Sequence, residues 1–203
     1  MSVITISRQF GAGGRTLGEM VAKRLGYEFY DNEVIQMVSI HAKVSADSVD
    51  ALEKATGGLF NRFIADIVPR SLKDLLVSRK QETIDEEIYV DILHKIITEI
   101  AEDANAVIIG RGSQYILKDH EDTFHVLIIA DINDRVKFFE EKYDLTQAQA
   151  VRAVSQDDRR RANLYRKFNV SDYDQPDRYH LVLNTSKLDF DVACDLICEL
   201  VKS

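Results

Sequence analysis

Between Arg8 and Thr16 the chain runs Arg8-Gln9-Phe10-Gly11-Ala12-Gly13-Gly14-Arg15-Thr16. Three glycines in four residues let the backbone turn so that successive amides face one point. A concave row of N–H groups is an anion site, and a helix N-terminus behind it adds positive potential. Phosphate is the expected guest, and Gly11, Ala12, Gly13, Gly14, Arg15 and Thr16 are the expected cradle. The simpler reading of the same residues is a tight strand-to-helix turn. A second glycine-bounded element, Gly110-Arg111-Gly112, sets a cation in a turn. A third cluster is Asp157-Asp158-Arg159-Arg160-Arg161. On a helix its arginines stand about 100° apart, so one or two can face a ligand. Asp157 and Asp158 can hold the others; alternatively the run is a solvated charged face. Asp31 completes the set, either at the ligand or as part of an Asp-Asn turn. An amide cradle with convergent guanidiniums suits phosphoryl transfer, whose charge-rich transition state is stabilised by positioning and electrostatics.

These groups need elements to carry them. Val3-Ile4-Thr5-Ile6 is a short apolar strand before the glycine loop. Leu17, Met20, Val21 and Leu25 recur at helical spacing after it, and Gly26 suits the helix end. Tyr27–Tyr30 is a strand ending in Asp31, with Asn32 placed to cap the next helix. From Ser45 to Val77 the helical signal is broken by Gly57-Gly58 and Pro69. Arg62, Arg70, Lys73, Arg79 and Lys80 are spread through and just beyond it, mostly as solvated charge. Ile88, Ile92, Ile96 and Ile100 mark a core helix near 84–103. Ala106–Ile109 and His125–Ala130 are apolar runs suited to buried parallel strands. A helix comes after Asp131, Thr146 begins another, and Tyr179–Leu183 is the last strand. A final helix is capped by Asp189 or Asp191. Strands alternating with helices predict an α/β fold with a parallel sheet. Right-handed crossovers then bring the glycine loop, Asp31, Arg111, Asp131 and Asn184-Thr185 to one edge.

A length of 203 residues predicts one domain. Its core is about 1–32, 83–143 and 178–203, with helical insertions at about 33–82 and 144–177. Net charge is −8, which argues against a nucleic-acid partner held by bulk charge. No apolar run reaches the ~20 residues of a membrane span. The N-terminus enters a strand directly, so a cytoplasmic protein is expected. Cys194 and Cys198 have no neighbouring His or Cys to complete a metal site and are expected to be buried thiols. His41, His94, His120, His125 and His180 lack metal-ligand spacing and are assigned structural roles.

Taken together, Ile4–Thr16, Tyr30-Asp31, Val107–Gly112, Asp157–Arg161 and Leu181–Ser186 resemble the cytidylate kinase-like family, within the P-loop nucleoside monophosphate kinases. The resemblance spans nearly the whole chain. It implies a three-layer P-loop kinase fold, a five-stranded parallel sheet with helices on both faces, an acceptor-binding insertion at 33–82 and a lid at 144–177. It also implies ATP and Mg²⁺ at the loop, with small-molecule nucleotide substrates such as CMP or dCMP as acceptors. Thr16 matches the hydroxyl near the metal, and Arg111 the arginine that holds the acceptor phosphate. Asp31, Asp157 and Asp158 are then substrate-binding, and Arg159, Arg160 and Arg161 are catalytic lid arginines. An aspartate and an arginine of that helix can also read cytosine. The oligomeric state is left open, a homo-oligomer included.

A Walker A loop reads G-x-x-x-x-G-K-[ST]. Here Arg8 stands at its first glycine and Gly14 at its lysine. Arg8 and Arg15 are the candidate catalytic cations in its place, and a guanidinium forks where an ammonium does not. Asp131 is the nearest candidate to support Mg²⁺. These departures admit two other readings: a nucleotide sensor with little catalysis, and a dinucleotide-binding oxidoreductase suggested by Gly11-x-Gly13 and Asp31. Thr16 at the third glycine of that second fingerprint counts against it.

Overall fold

Alternating side chains on two neighbouring strands build the two faces of the sheet. The computed structural model describes residues 1–31, 86–166, 168, 170 and 173–202. Strands β1 (Val3–Arg8) and β3 (Ala106–Ile109) run parallel, with Val3 beside Ala106 and Ile6 beside Ile109. Successive side chains of a strand leave on opposite faces. Val3, Ala106 and Ile108 therefore enter one core, and Ile4, Ile6, Val107 and Ile109 the other. The first core is closed by Tyr89, Leu93, Ile96, Ile97 and Ile100 of α2 (Glu86–Asp103). Leu17 and Val21 of α1 (Gly14–Leu25) and Ala193, Cys194 and Ile197 of α6 (Phe190–Leu200) close the second. Both cysteines are buried free thiols, as expected.

The five strands are all parallel, in the order β2 (Glu28–Tyr30), β3, β1, β4 (Thr123–Ile129), β5 (Leu181–Asn184). This is the predicted α/β architecture with helices on both faces. Several details differ: β1 runs two residues past Ile6, and β2 starts one residue after Tyr27. A short helix α3 (Ser113–Ile116) comes after Gly112, too brief to leave a periodic signal. Strand β4 starts two residues before His125. Strand β5 starts at Leu181, after a 3₁₀ turn at Pro176–Arg178. Tyr179 and His180 are therefore outside the strand, and the His180 Nδ1 accepts from the His125 backbone N–H at 2.9 Å.

Beyond β4, α4 (Ile132–Tyr143) and α5 (Gln147–Arg166) pack through Val136, Phe139, Ala150 and Val154. Thr146 starts α5 as expected: its N–H reaches Gln149 Oε1 at 2.9 Å, and the Gln149 N–H reaches its Oγ1 at 3.4 Å. That is a reciprocal cap. Phe10 of the glycine loop joins this small core, 4.6 Å from the Phe139 ring. The predicted insertion at 33–82, its arginines and Asn32 lie outside the described residues. Among the described residues no helix is long and apolar enough to cross a membrane.

Candidate functional site

The glycine loop is pinned at both ends. The Gln9 N–H donates to the Ile128 carbonyl at 2.9 Å, and Gln9 Oε1 accepts from the Ala130 N–H at 3.1 Å. Thr185 Oγ1 donates to the Ala12 carbonyl at 2.9 Å. Between these ties Gly11 and Gly13 take φ of +85° and +75°, the left-handed region open to glycine. Gly13 is the N-cap of α1 and has no side chain to bond the first amides. Those amides are left for a ligand, at the end of the helix where an anion is favoured.

Two arginines meet Asp31 beside this loop. Arg8 Nη2 lies 3.9 Å from Asp31 Oδ1, and Arg15 Nη1 lies 3.5 Å from Oδ2. The carboxylate is 5 % exposed. Burial lowers the pKa of Arg8, Asp31 opposes that, and the charge of Arg111 adds to it. Arg15 is more exposed and also bonds Glu19 at 3.0 Å through Nε. Arg111 takes φ +58° between Gly110 and Gly112, each of which is also left-handed. The sequence thus brings Arg8, Asp31, Arg15 and Arg111 to one place, as expected.

Helix α5 divides its arginines as helical spacing requires. Arg159 is exposed and bonds its own helix at the Ser155 carbonyl. Arg160 is drawn inward to Asp157, 3.9 Å away. Arg161 pairs with Asp174 at 2.6 Å, lies over the Tyr173 ring and donates to the Arg8 carbonyl. Burial works against its charge, and Tyr165 and Asp174 outweigh burial, so its pKa is raised. Burial raises the pKa of Asp157 against the pull of Arg160 and Arg8. Asp158 faces the other way, towards α4. It pairs with Arg135 of α4 at 2.7 Å.

Thr16 is exposed in the first turn of α1. Asp131, at the N-cap of α4, accepts from Lys187 Nζ at 2.9 Å and from Asn184 Nδ2 at 3.4 Å. These bonds hold its carboxyl below the usual carboxylate range. Among the described residues no three His, Cys, Asp or Glu side chains are grouped to hold a metal. One open hydroxyl fits a Mg²⁺ ion that takes its remaining ligands from phosphate and water. It does not make an all-protein cage.

Sequence reasoning missed Arg135, Asp174 and a tyrosine cluster. Arg135 is 4 % exposed and donates from Nε to the Phe10 carbonyl at 2.7 Å. Tyr165 is buried, with the Tyr115 ring 5.2 Å and the Tyr173 ring 5.4 Å away. Burial pushes Tyr115 up to about 12, and it raises Tyr179, beside Asp174, as well. For the tyrosines one signal was available: the polar side chains Thr5 and Ser7 lie on the β1 face of Val3, which calls for side chains with polar tips beside them.

The model of the cytidylate kinase-like family matches residues 3–187. No curated protein sequence matches the chain. Among solved structures, an uncharacterised protein from Eubacterium ventriosum ATCC 27560 is 19% identical, over 100% of this chain and 99% of that one, with a TM-score of 0.68. The shikimate kinase from Bacteroides thetaiotaomicron is 15% identical, over 100% and 99%, at 0.53. A gluconokinase from Sinorhizobium meliloti 1021 is 10% identical, over 99% and 91%, at 0.51. At these identities the likeness is one of fold.

Proposed function

Because the chain belongs to the cytidylate kinase-like family and has the three-layer fold of P-loop kinases, we propose that it transfers the γ-phosphoryl group of ATP to a small acceptor, a nucleoside monophosphate such as CMP or dCMP. One observation carries this reading. The open amides at the start of α1, the Arg8–Asp31–Arg15 group and the inward arginines of α5 share one edge of the sheet.

Each group has work to do in that reaction. The Gly11, Gly13 and Gly14 amides hold the donor phosphates, while the Ala12 N–H donates to the Gln9 carbonyl at 3.1 Å and braces the loop. Arg111 binds the acceptor phosphate, whose oxygen is already an anion and needs no base to attack. Asp31 holds two guanidiniums in place beside the loop. Arg160 and Arg161 bring positive charge from above the edge, as phosphoryl transfer requires. With the segment at 33–82 as acceptor side and 144–177 as lid, the edge is shielded from water. Thr16 would help to hold a Mg²⁺ ion, which would supply neutralising charge to the phosphates.

The test is ADP release with ATP and Mg²⁺, with CMP, dCMP, UMP, AMP and GMP supplied separately. CMP-selective turnover that falls in Arg111→Ala, with ATP affinity kept, is expected. No turnover with any of the five, alongside calorimetric binding of ATP, would favour a nucleotide sensor. Gly14 in the lysine position is the observation behind that second reading.

A further inference from the structure

A Walker A lysine comes directly after the second glycine of its loop and reaches the β- and γ-phosphates. In this chain that position is Gly14, the first residue of α1. The side chain of Arg8 runs across it. A Cβ built on Gly14 lies 2.6 Å from the Arg8 Cβ and 2.9 Å from its Cγ. Further out, a Cβ on Gly110 collides with the Arg8 guanidinium at Nη1. The stem of Arg8 thus crosses the donor cradle, and its head lies in the turn that carries Arg111. Asp31 holds that head at 3.9 Å, and the side chain is still 30 % exposed. Arg15, the other candidate, is shared between Glu19 at 3.0 Å and Asp31 at 3.5 Å and starts from the helix one residue after the lysine position.

We propose that Arg8 is the catalytic cation of this loop: cation and glycine have exchanged positions 8 and 14, and Gly14 and Gly110 are the space its side chain occupies. The proposal rests on the phosphoryl-transfer reading. In the step itself an acceptor phosphate oxygen forms a bond to the γ-phosphorus. The bond from that phosphorus to the bridging oxygen breaks, and ADP leaves with the electron pair. Arg8 neutralises charge on the phosphoryl oxygens and exchanges no proton. A mere strut between the loop and Asp31 makes a different forecast, because removing it weakens every nucleotide alike.

The experiment is calorimetry with ADP and with a non-hydrolysable ATP analogue, run beside the ADP-release assay. The proteins are wild type, Arg8→Met, Arg8→Gly, Gly14→Lys and the double variant Arg8→Gly/Gly14→Lys. Arg8→Met is expected to lose roughly tenfold or more in analogue affinity while ADP changes by less than about threefold. Turnover is expected to fall on the order of a hundredfold. Gly14→Lys alone is also expected to lose analogue affinity, because the new side chain has no room. The double variant is expected to exceed both Arg8→Gly and Gly14→Lys in analogue affinity. Equal losses for ADP and analogue in Arg8→Met would overturn the proposal, as would a double variant no better than Arg8→Gly. If the double variant shows no cooperative melting, Arg8→Lys decides: analogue affinity between wild type and Arg8→Met supports the exchange, and affinity equal to Arg8→Met overturns it. Arg8-dependent binding in a wild-type protein that turns over no acceptor sinks the kinase reading alone. CMP turnover indifferent to Arg8 sinks the exchange alone.

Discussion

Arg135 and Asp158 form a 2.7 Å ion pair that joins α4 to α5 directly behind the glycine loop. The same guanidinium holds the Phe10 carbonyl, so loop and arginine-bearing helix share one anchor. Removing Asp158 leaves a guanidinium buried with one partner fewer. Removing Arg135 leaves a carboxylate that water can reach, since Asp158 is a third exposed at 33%. Asp158→Ala is therefore expected to cost more stability than Arg135→Met, by the rule for broken buried pairs about 3 kcal/mol. Denaturant melts of the two variants check this, and the reverse order would give the larger role to the arginine stem.

Arg111 gives a case where stability and activity part. Its φ of +58° costs a side-chain-bearing residue roughly 1 kcal/mol. Arg111→Gly is expected to melt at or above the wild-type temperature while the KM for the acceptor rises and ATP affinity holds. A lower melting temperature would mean that the guanidinium contributes more to the fold than its backbone strain removes.

Thr16→Val keeps the shape of the side chain and deletes the hydroxyl. The Mg²⁺ concentration for half-maximal turnover is expected to rise, with the acceptor KM unchanged. An unaltered Mg²⁺ dependence would remove Thr16 from the metal's surroundings.

His125 links stability to pH. Burial, then the neighbouring His180, lowers it to about 4 from 6.5, and Thr5 Oγ1 lies 2.7 Å from its Nδ1. The folded state disfavours the proton that the unfolded state accepts, so stability is full above pH 6.5 and falls as pH drops towards 4. The loss is up to about 3 kcal/mol. Unfolding by urea between pH 4 and 7 measures it. His125→Gln should flatten this part of the profile; an unchanged slope would assign it to other groups.

Strand-loop-helix order was legible because apolar runs and glycines carry it locally. Asp31 and Arg111 were legible for a related reason: parallel strands deliver the residues at their C-terminal ends to the same edge. The duties of the α5 arginines were not, because spacing says how far apart they point but not what they meet. Arg161 is fixed by Asp174, which lies beyond the end of α5 and outside its periodic pattern. Arg135 gave no signal, since an arginine among the charges of α4 reads as solvated until Phe10 and Asp158 close over it. Helix α3, four residues long, is shorter than the repeat that would reveal it.

The central strand comes before both of its partners in the chain. Strand β1 begins at Val3, yet its partners begin at Ala106 and Thr123. Parallel pairing at such separation is slow to form, because a long stretch of chain must be ordered before any ladder bond rewards it. On the ribosome, the apolar Val3–Ile6 segment must wait unpaired until the second half of the domain emerges. A fragment ending before β4 would leave β1 open along one side, and its expected fate is aggregation rather than a folded half.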